Sequence, residues 1–199
     1  MSSGEASAPT PQLPSSMTPN QLARRARLLT AVVDLVGDGL DEDMSMKDIA
    51  DRADVALGTV YRYFSSKDHL IAAALLAWAG ELGERAGRRP APTGPPAERL
   101  MIVLRHALRA YQRQPAFARL LVLVANSADP NASECYAQMG PVVFSALGEA
   151  IADIEPDRRQ RILTVVGAVW YHCLVEWTNG RMTVIEVNET LESTAKLLL

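Results

Sequence analysis

The stretch 45–70, which has the sequence SMKDIADRADVALGTVYRYFSSKDHL, constrains the fold more than any other part of the chain. Ser45 can cap a helix, with the carboxylate of Asp48 near the helix N-terminus, where negative charge is favoured. Helical spacing then places a buried apolar stripe at Met46, Ile49, Ala50 and Ala53. Asp54 supports a tight turn, because its short side chain bonds to nearby backbone. The pattern predicts two short helices joined by a turn, followed at once by a third helix.

The second short helix is expected to carry a polar and aromatic outer surface. Val55, Val60 and Phe64 would pack against the first helix. The residues left at or near the surface are Leu57, Gly58, Thr59, Tyr61, Arg62 and Tyr63. Tyrosine, threonine and arginine suit phosphates and base edges, and glycine allows close approach, so this surface is typical of a helix inserted in the major groove of DNA. Lys67 follows in the first turn of the next helix, where a cation is unfavourable unless a phosphate binds there.

These residues resemble the sequence pattern of the TetR family of bacterial transcription regulators. The pattern contains I-A-x-x-A-x-V, G-T-x-Y-x-Y-F and K-x-x-L, and its matches here are Ile49, Ala50, Ala53, Val55, Gly58, Thr59, Tyr61, Tyr63, Phe64, Lys67 and Leu70. The resemblance implies an all-α protein of about nine helices, with a helix-turn-helix DNA-binding domain followed by a helical ligand-binding and dimerisation domain. The expected boundaries are 19–65 for the first domain and 66–199 for the second.

The same resemblance implies a role for each outer residue of the motif. Those expected to face bases or nearby sugars are Lys47, Leu57, Gly58, Thr59 and Arg62. Those expected to hold phosphates are Tyr61, Tyr63 and Lys67. Ser45, at the start of the first motif helix, completes the expected DNA-binding set. Core packing is the alternative for the two tyrosines, and the surrounding motif favours the phosphate contacts, which position a protein on DNA while base contacts select the sequence.

Composition adds weaker constraints. The chain has 199 residues, and 48% of them are hydrophobic, so a folded core is expected. Its net charge is −3, which lacks the basic excess of a general nucleic-acid binder. Arg24, Arg25 and Arg27 lie just before the motif, either as a solvated face or as phosphate contacts. The sequence contains no run of about 18 apolar residues, so no transmembrane helix is predicted. The Ser-, Pro- and Ala-rich segment 1–18 is expected to be a disordered tail rather than a secretory signal, in a cytoplasmic protein.

Helical spacing continues to the C-terminus, and no strand-type alternation persists. The predicted helices cover about 20–36, 66–85, 97–114, 117–125, 133–153, 156–178 and 184–198. The segment 87–96 is rich in Gly and Pro and predicts a loop, and Asp129-Pro130-Asn131 predicts a turn. Gly140-Pro141 is expected to kink or interrupt the helix that contains it.

The predicted helix 156–178 is apolar on almost every side between Ile162 and Trp177. A helix of that kind must be covered on every side, and this one is too short to span a membrane comfortably. One face can pack inside the subunit, and the rest is expected to meet a second copy. Together with the helix 184–198, this predicts a two-fold homodimer, as the resemblance also implies. Two recognition helices would then meet the two half-sites of a palindromic operator.

A ligand cavity is the second expected site, and plain core is the alternative for each of its candidates. The candidates are Trp78, Met101, Leu104, Phe117, Leu121, Met139, Phe144, Trp170, Cys173 and Trp177. Their apolar character favours a hydrophobic ligand. Arg105, Arg109 and Arg113 recur every four residues, as a solvated face or as partners of an anionic ligand end. Residues 52–75 resemble more closely a TetR branch that responds to an acyl-CoA thioester, and fainter matches to this branch follow later in the chain. This resemblance implies an acyl-CoA-like inducer.

No catalytic constellation stands out in the sequence. His69, His106 and His172 are too scattered for a metal site, although His106 and His172 could line a cavity. Cys135 and Cys173 lack metal-ligand companions, and free buried thiols are the expected state. The interpretation is a non-enzymatic repressor without a cofactor, released from DNA by a small ligand. A ligand-independent DNA-binding regulator, an activator and a helical small-molecule carrier stay open as alternatives.

Overall fold

The computed structural model describes residues 11–40, 43–88 and 90–199, and every regular element in these ranges is helical. Within these ranges, a 3-10 turn at Pro14–Ser16 precedes nine α-helices. They are α1 (Pro19–Gly37), α2 (Met46–Arg52), α3 (Leu57–Tyr63), α4 (Lys67–Gly87), α5 (Pro96–Arg113), α6 (Pro115–Ala125), α7 (Pro130–Ala150), α8 (Pro156–Thr178) and α9 (Val184–Leu198). The predicted all-α class is confirmed.

The first three helices form a small unit around the predicted apolar stripe. Ser45 caps α2 by accepting a hydrogen bond from the Asp48 backbone, and the Asp48 side chain accepts from the Ser45 backbone in return. The hydrogen bonds from Ser45 lower the pKa of the Asp48 carboxyl. Asp54 has a φ of 52°, a left-handed conformation that Asp tolerates better than most residues. This single residue makes the turn between α2 and α3 tight.

Helix α4 joins this unit to the rest of the molecule. Its first half is buried from His69 to Leu75, because α1 packs on one side and α6 and α7 on others. The second half, from Trp78 onward, forms one wall of the C-terminal helical domain. A helix that belongs to both units can transmit a displacement from one to the other.

The C-terminal helices pack around two apolar clusters. The first cluster continues from the core of α1–α4 into α6 and α7, and the second lies between α5, α7, α8 and α9. The Arg105 guanidinium on α5 donates to Glu192 on α9 at 3.0 Å. No described helix is both long and apolar enough to cross a membrane.

Two predicted boundaries are wrong. The Asp129–Asn131 segment is a helix start rather than a separate turn, since Asp129 accepts from the Asn131 backbone and Pro130 occupies the first helical position, where proline is favoured. Helix α7 then runs through Pro141 to Ala150, so the predicted interruption at Gly140-Pro141 does not occur, while the alternative, a kink, stays a prediction. The helix therefore begins and ends about one turn earlier than the apolar spacing indicated.

The predicted disordered tail is also wrong for residues 11–18. The Gln12 backbone donates to the Arg62 carbonyl at 3.0 Å, Met17 is buried, and Thr18 caps α1 in a capping box with Gln21. One buried methionine and a backbone contact to α3 hold this segment against the DNA-binding unit. Residues 1–10 of the predicted tail lie outside the described residues.

Candidate nucleic-acid interface and ligand cavity

The outer face of α3 carries most of the residues predicted to contact DNA. Leu57, Gly58 and Arg62 are exposed, Thr59 is half-buried, and Tyr61 has 45% of its surface exposed. Val60 on the opposite face is fully buried against the core. The helix begins without a side-chain cap, so its first backbone N–H groups lack an acceptor within the helix. This face offers a phenol, a guanidinium, a hydroxyl and a bare backbone position.

Tyr63 does not belong to this outer face, which corrects the prediction. Only 1% of its surface is exposed, and its hydroxyl makes no hydrogen bond within the described residues. The physical reason is the helical repeat: Val60, Tyr63 and Phe64 stand at i, i+3 and i+4 and turn to the same side. The expected phosphate contact of Tyr63 is therefore withdrawn.

Three further predicted DNA contacts flank α3. Ser45 is exposed at the start of α2, where its hydroxyl also donates to Asp48 at 2.6 Å. Lys47 is exposed and pairs with Asp51 at 2.7 Å across one helical turn. Such a solvent-exposed pair is weak enough to exchange its partner for a phosphate. Lys67 is half-buried in the first turn of α4.

Arg25 is the member of the α1 arginine group with a specific contact. Its guanidinium carbon lies 5.2 Å from the centre of the Phe64 ring, in a cation–π arrangement. Burial lowers the pKa of Arg25 without removing its charge. Arg24 and Arg27 are exposed on the same helix. Arg25 thus packs over the junction of α3 and α4, whereas its neighbours reach solvent.

A hydrogen-bond cluster ties the start of α4 to the loop between α6 and α7. The hydroxyls of Ser65 and Ser66 both donate to the Asp129 carboxylate, and the Asn131 amide donates to the Ser65 hydroxyl at 3.0 Å. Nearby, the Ser127 hydroxyl donates to Asp68 at 2.6 Å. These bonds join residues more than 50 positions apart, so they connect the DNA-binding unit directly to the C-terminal helices.

The charge states in this cluster follow from its contacts. Partial burial would raise the pKa of Asp129, but the hydrogen bonds from Ser65, Ser66 and Asn131 outweigh burial and lower the pKa to about 2. Burial lowers the pKa of His69, whose Nδ1 accepts from the Ser65 backbone at 3.2 Å. At neutral pH the cluster therefore contains an ionised carboxylate beside a neutral imidazole.

A large cavity lies between α4, α5, α7 and α8. Its volume is about 1190 Å³, and the segment 90–94 lies along its edge. Trp78 stacks on Phe117 with ring centres 4.5 Å apart and packs edge-on against Tyr111 at 5.3 Å. Tyr111 in turn lies 6.1 Å from Trp170 on α8, and burial raises its pKa, so it stays neutral. The aromatic side chains give this cavity a rigid, largely apolar wall.

The structure divides the predicted ligand residues into two groups. Those that line the cavity are Trp78, Leu121, Met139, Phe144 and Trp170. Those that do not are Met101, Leu104, Phe117, Cys173 and Trp177. Of the second group, Leu104 borders a separate small void, and Phe117 lies behind Trp78 as fully buried support. Met101 and Cys173 are plain core, and Trp177 packs half-buried against both apolar clusters.

Several lining residues were missing from the predicted set. Tyr136 and Val143 on α7 face the cavity with Met139, one helical turn away on each side. The helical repeat around Met139 was the signal that could have found them. His106 also lines the cavity, whereas His172 is exposed on α8.

Four arginines line the cavity, against two carboxylates, Glu149 and Asp153. Arg109 and Arg113 line it while remaining exposed, and neither pairs with a carboxylate among the residues that the structure describes. Arg85 and Arg99 also line it, but they pair with Glu81 and Asp153. The cavity therefore combines an apolar interior with two unpaired guanidinium groups, a combination that suits an apolar ligand with an anionic end.

Family comparisons agree with this architecture over both halves of the chain. Residues 42–74 match the model described as bacterial regulatory proteins, tetR family, and residues 94–198 match the tetracyclin repressor-like C-terminal domain. The chain belongs to the TetR family of helix-turn-helix transcriptional regulators.

Within that family, the chain is similar to the HTH-type transcriptional repressor KstR of Rhodococcus jostii. The two are 36% identical over 180 residues, which cover 90% of this chain and 84% of KstR. A TetR transcriptional regulator from Rhodococcus sp. RHA1 shares the fold with a TM-score of 0.74 at 24% identity, covering 90% of this chain and 97% of the other. Thermus thermophilus FadR, solved with lauroyl-CoA, has a TM-score of 0.68 at 20% identity, covering 87% and 92%.

Proposed function

We propose that this protein is a homodimeric repressor that binds palindromic operator DNA in the cytoplasm and is released by an amphipathic ligand of the acyl-CoA type. The observation that carries the proposal is the cavity of about 1190 Å³, because its wall includes the same helix α4 that begins at the DNA-binding unit. Similarity to a KstR repressor supports the sign of regulation. The acyl-CoA in the fold relative FadR supports the ligand class.

DNA recognition is assigned to the outer face of α3 and its flanks. Leu57, Gly58, Thr59, Arg62 and the more distant Lys47 would face bases or sugars. Phosphate contacts would come from Ser45, Tyr61 and Lys67. Loss of a phosphate contact should weaken binding to all sequences alike, while exchanges at Leu57 or Thr59 should change which sequence is preferred.

The ligand would bind with its chain inward and its charge outward. Trp78, Met139, Phe144 and Trp170 offer apolar surface for the chain. Arg109 and Arg113 would bind phosphates of the head group. A guanidinium holds a phosphate more tightly than a neutral polar side chain does, because its hydrogen bonds are charge-assisted.

A ligand in this cavity would act on DNA binding through α4. Trp78 contacts the cavity, and the two residues that precede the same helix, Ser65 and Ser66, are hydrogen-bonded to Asp129. Displacement of α4 would change the spacing of the two recognition helices in the dimer, so that they no longer match successive major grooves. Coupling of this kind requires that the ligand binds the two arrangements with different affinity.

Lauroyl-CoA is expected to release the protein from operator DNA, and Arg109→Gln is expected to weaken lauroyl-CoA binding by about two- to fivefold, the range for an exposed charge contact. Calorimetric titration would measure the affinity, and a gel-mobility assay would measure release. Arg105→Gln is the same exchange on the same helix, at an arginine that pairs with Glu192 and does not line the cavity, so it should leave lauroyl-CoA affinity unchanged. Operator binding that lauroyl-CoA and other acyl-CoA probes leave unaltered would contradict the ligand assignment.

The dimer is assigned to α8 and α9. One stripe of α8, comprising Arg161, Val165, Ala168 and His172, is exposed, and Val165 has 43% of its surface open. Ile185 and Leu197 are exposed large apolar residues on α9. Apolar side chains on these two helices support burial against the same helices of a second copy.

Val165→Glu is expected to convert the dimer to monomers, since a carboxylate and its possible partner Arg161 would both have to leave water, which costs roughly 3 kcal/mol or more, about 100-fold in the dimer dissociation constant. Sedimentation equilibrium would measure the association. Because Val165 is exposed within one subunit, the helical content should not change. Gln112→Glu, which adds the same charge at an exposed position on α5, serves as the charge control. A Val165→Glu protein that remains dimeric would place the interface elsewhere.

A further inference from the structure

Beside the large cavity lies a second, smaller void, and Phe144 is among the residues that border both. The void has a volume of about 30 Å³, close to the share of one water molecule in liquid water. Five residues border both spaces, namely Val103, Ala107, Val143, Phe144 and Trp170, whereas Leu104, Leu147 and Val166 border the void alone. Since apolar side chains line it, the void has no partners for a water molecule and is expected to be empty.

The ring of Phe144 reaches its position because α8 carries a glycine opposite to it. A Cβ atom at Gly167 would lie 2.5 Å from the Phe144 Cζ and 3.1 Å from its Cε1. Real Cβ atoms essentially never approach to 2.5 Å, so a side chain at 167 would force the ring to move. Gly140, one turn earlier on α7, leaves the neighbouring space open, since a Cβ there would stand 3.9 Å from the ring.

The contacts of Phe144 differ from those of the other aromatic residues in the cavity wall. Trp78, Tyr111 and Trp170 contact one another or Phe117 ring to ring, whereas Phe144 has no ring–ring contact within the described part of the chain. It is half-buried and packs against the second apolar cluster. The Phe144 ring packs against Gly167 and borders both the small void and the large cavity. It therefore has room to change rotamer.

We propose that Phe144 is a specificity-determining partition, which sets the depth of the cavity and therefore the length of the apolar chain that the protein prefers. The inference rests on the proposed function for the ligand class. Because residue 167 has no side chain, the Phe144 ring can pack directly against α8, and this position sets the depth of the cavity. Chains longer than this depth must either displace the ring or leave methylene groups in water.

Two exchanges should shift the preferred chain length in opposite directions. Phe144→Ala opens the cavity into the void, so longer chains gain about fourfold in affinity for each additional methylene buried. Gly167→Ala pushes the ring away from α8 towards the larger free space, so the optimum moves to shorter chains. Leu108→Ala is the control, because Leu108 is a buried residue of the same apolar cluster that lines neither space.

The probe is a series of saturated fatty acids from octanoic to stearic acid, titrated calorimetrically into the wild-type protein and the three variants. Fatty acids report cavity depth without the CoA group, and operator release by acyl-CoA is measured separately. The expected result is a longer optimum for Phe144→Ala, a shorter one for Gly167→Ala and an unchanged one for Leu108→Ala. If Phe144→Ala does not fold, the proposal is still tested by whether Gly167→Ala prefers shorter chains than the wild type.

The proposal for Phe144 would be overturned if the preferred chain length were the same in the wild type, Phe144→Ala and Gly167→Ala. It would also be overturned if no fatty acid bound to any of the proteins. Shifted optima without operator release by any acyl-CoA would leave the partition standing and overturn the proposed induction mechanism. The two proposals therefore fail in different experiments.

Discussion

Gly58→Glu is expected to lower operator affinity by about 100-fold or more, because a carboxylate brought against phosphates or base edges costs several kcal/mol. Gly58 is exposed at the second position of α3, in the middle of the face assigned to the major groove. Fluorescence anisotropy with labelled operator would measure the loss. Retention of full operator affinity would mean that this part of α3 does not approach the DNA closely.

The same exchange should leave the fold intact. An added Cβ at Gly58 meets no atom within 4 Å, and a carboxylate in the first turn of a helix is favourable. Replacement of a helical glycine also restricts the unfolded chain, which favours folding by about 0.4–1 kcal/mol. Urea unfolding would test this. Gly80→Glu, at another helical glycine with open space, is the matched control that should retain operator binding.

Phe64→Ala is expected to destabilise the protein by about 3–5 kcal/mol, the usual cost of removing a buried aromatic ring. The Phe64 ring has 0% of its surface exposed, packs edge-on against His69 at 5.1 Å and supports the Arg25 guanidinium at 5.2 Å. Its loss would leave a cavity at the junction of α3 and α4. The free energy of unfolding in urea measures the effect.

Tyr61→Ala is the control for Phe64, because it removes an aromatic ring three residues earlier from a side chain that is 45% exposed. Its effect on the free energy of unfolding should stay near 1 kcal/mol or below. Equal destabilisation by the two exchanges would contradict the assignment of Phe64 to the core and Tyr61 to the DNA-facing surface.

The local structure around α2 and α3 was predictable because it depends on neighbours in sequence. Ser45 with Asp48 defines a cap, Asp54 defines a turn, and Ile49 with Val60 defines the packed side. Each of these is decided within one or two helical turns. The long helices were predictable for a similar reason, since apolar residues recur at helical spacing over many turns.

Tyr63 was misplaced both by the packing argument, which left it at the surface, and by the family pattern, which indicated a phosphate contact. Its position three residues after Val60 puts it on the inner side of α3, where the structure has it. At Asp129-Pro130, polar and proline residues indicated a turn, while the same residues form a helix start.

The boundary between cavity and core could not be read from the sequence. Phe117 and Trp170 are both large apolar residues on amphipathic helices, yet Phe117 packs behind Trp78 and Trp170 faces the free space. Helical spacing says which side of a helix is inward, but the distance between two packed helices depends on residues far apart in sequence. Gly167 illustrates this, because its importance depends on Phe144, which lies on another helix.

The measurement that tests the central proposal most directly is selection of operator DNA. The purified protein, after removal of any bound ligand, is incubated with fragments of the genome from which it comes, and the retained DNA is sequenced. The proposal predicts enrichment of a palindrome whose half-sites stand about one helical turn apart or a multiple of it, and release of that DNA by lauroyl-CoA. Retention of no DNA, or of fragments without a shared sequence, would contradict it.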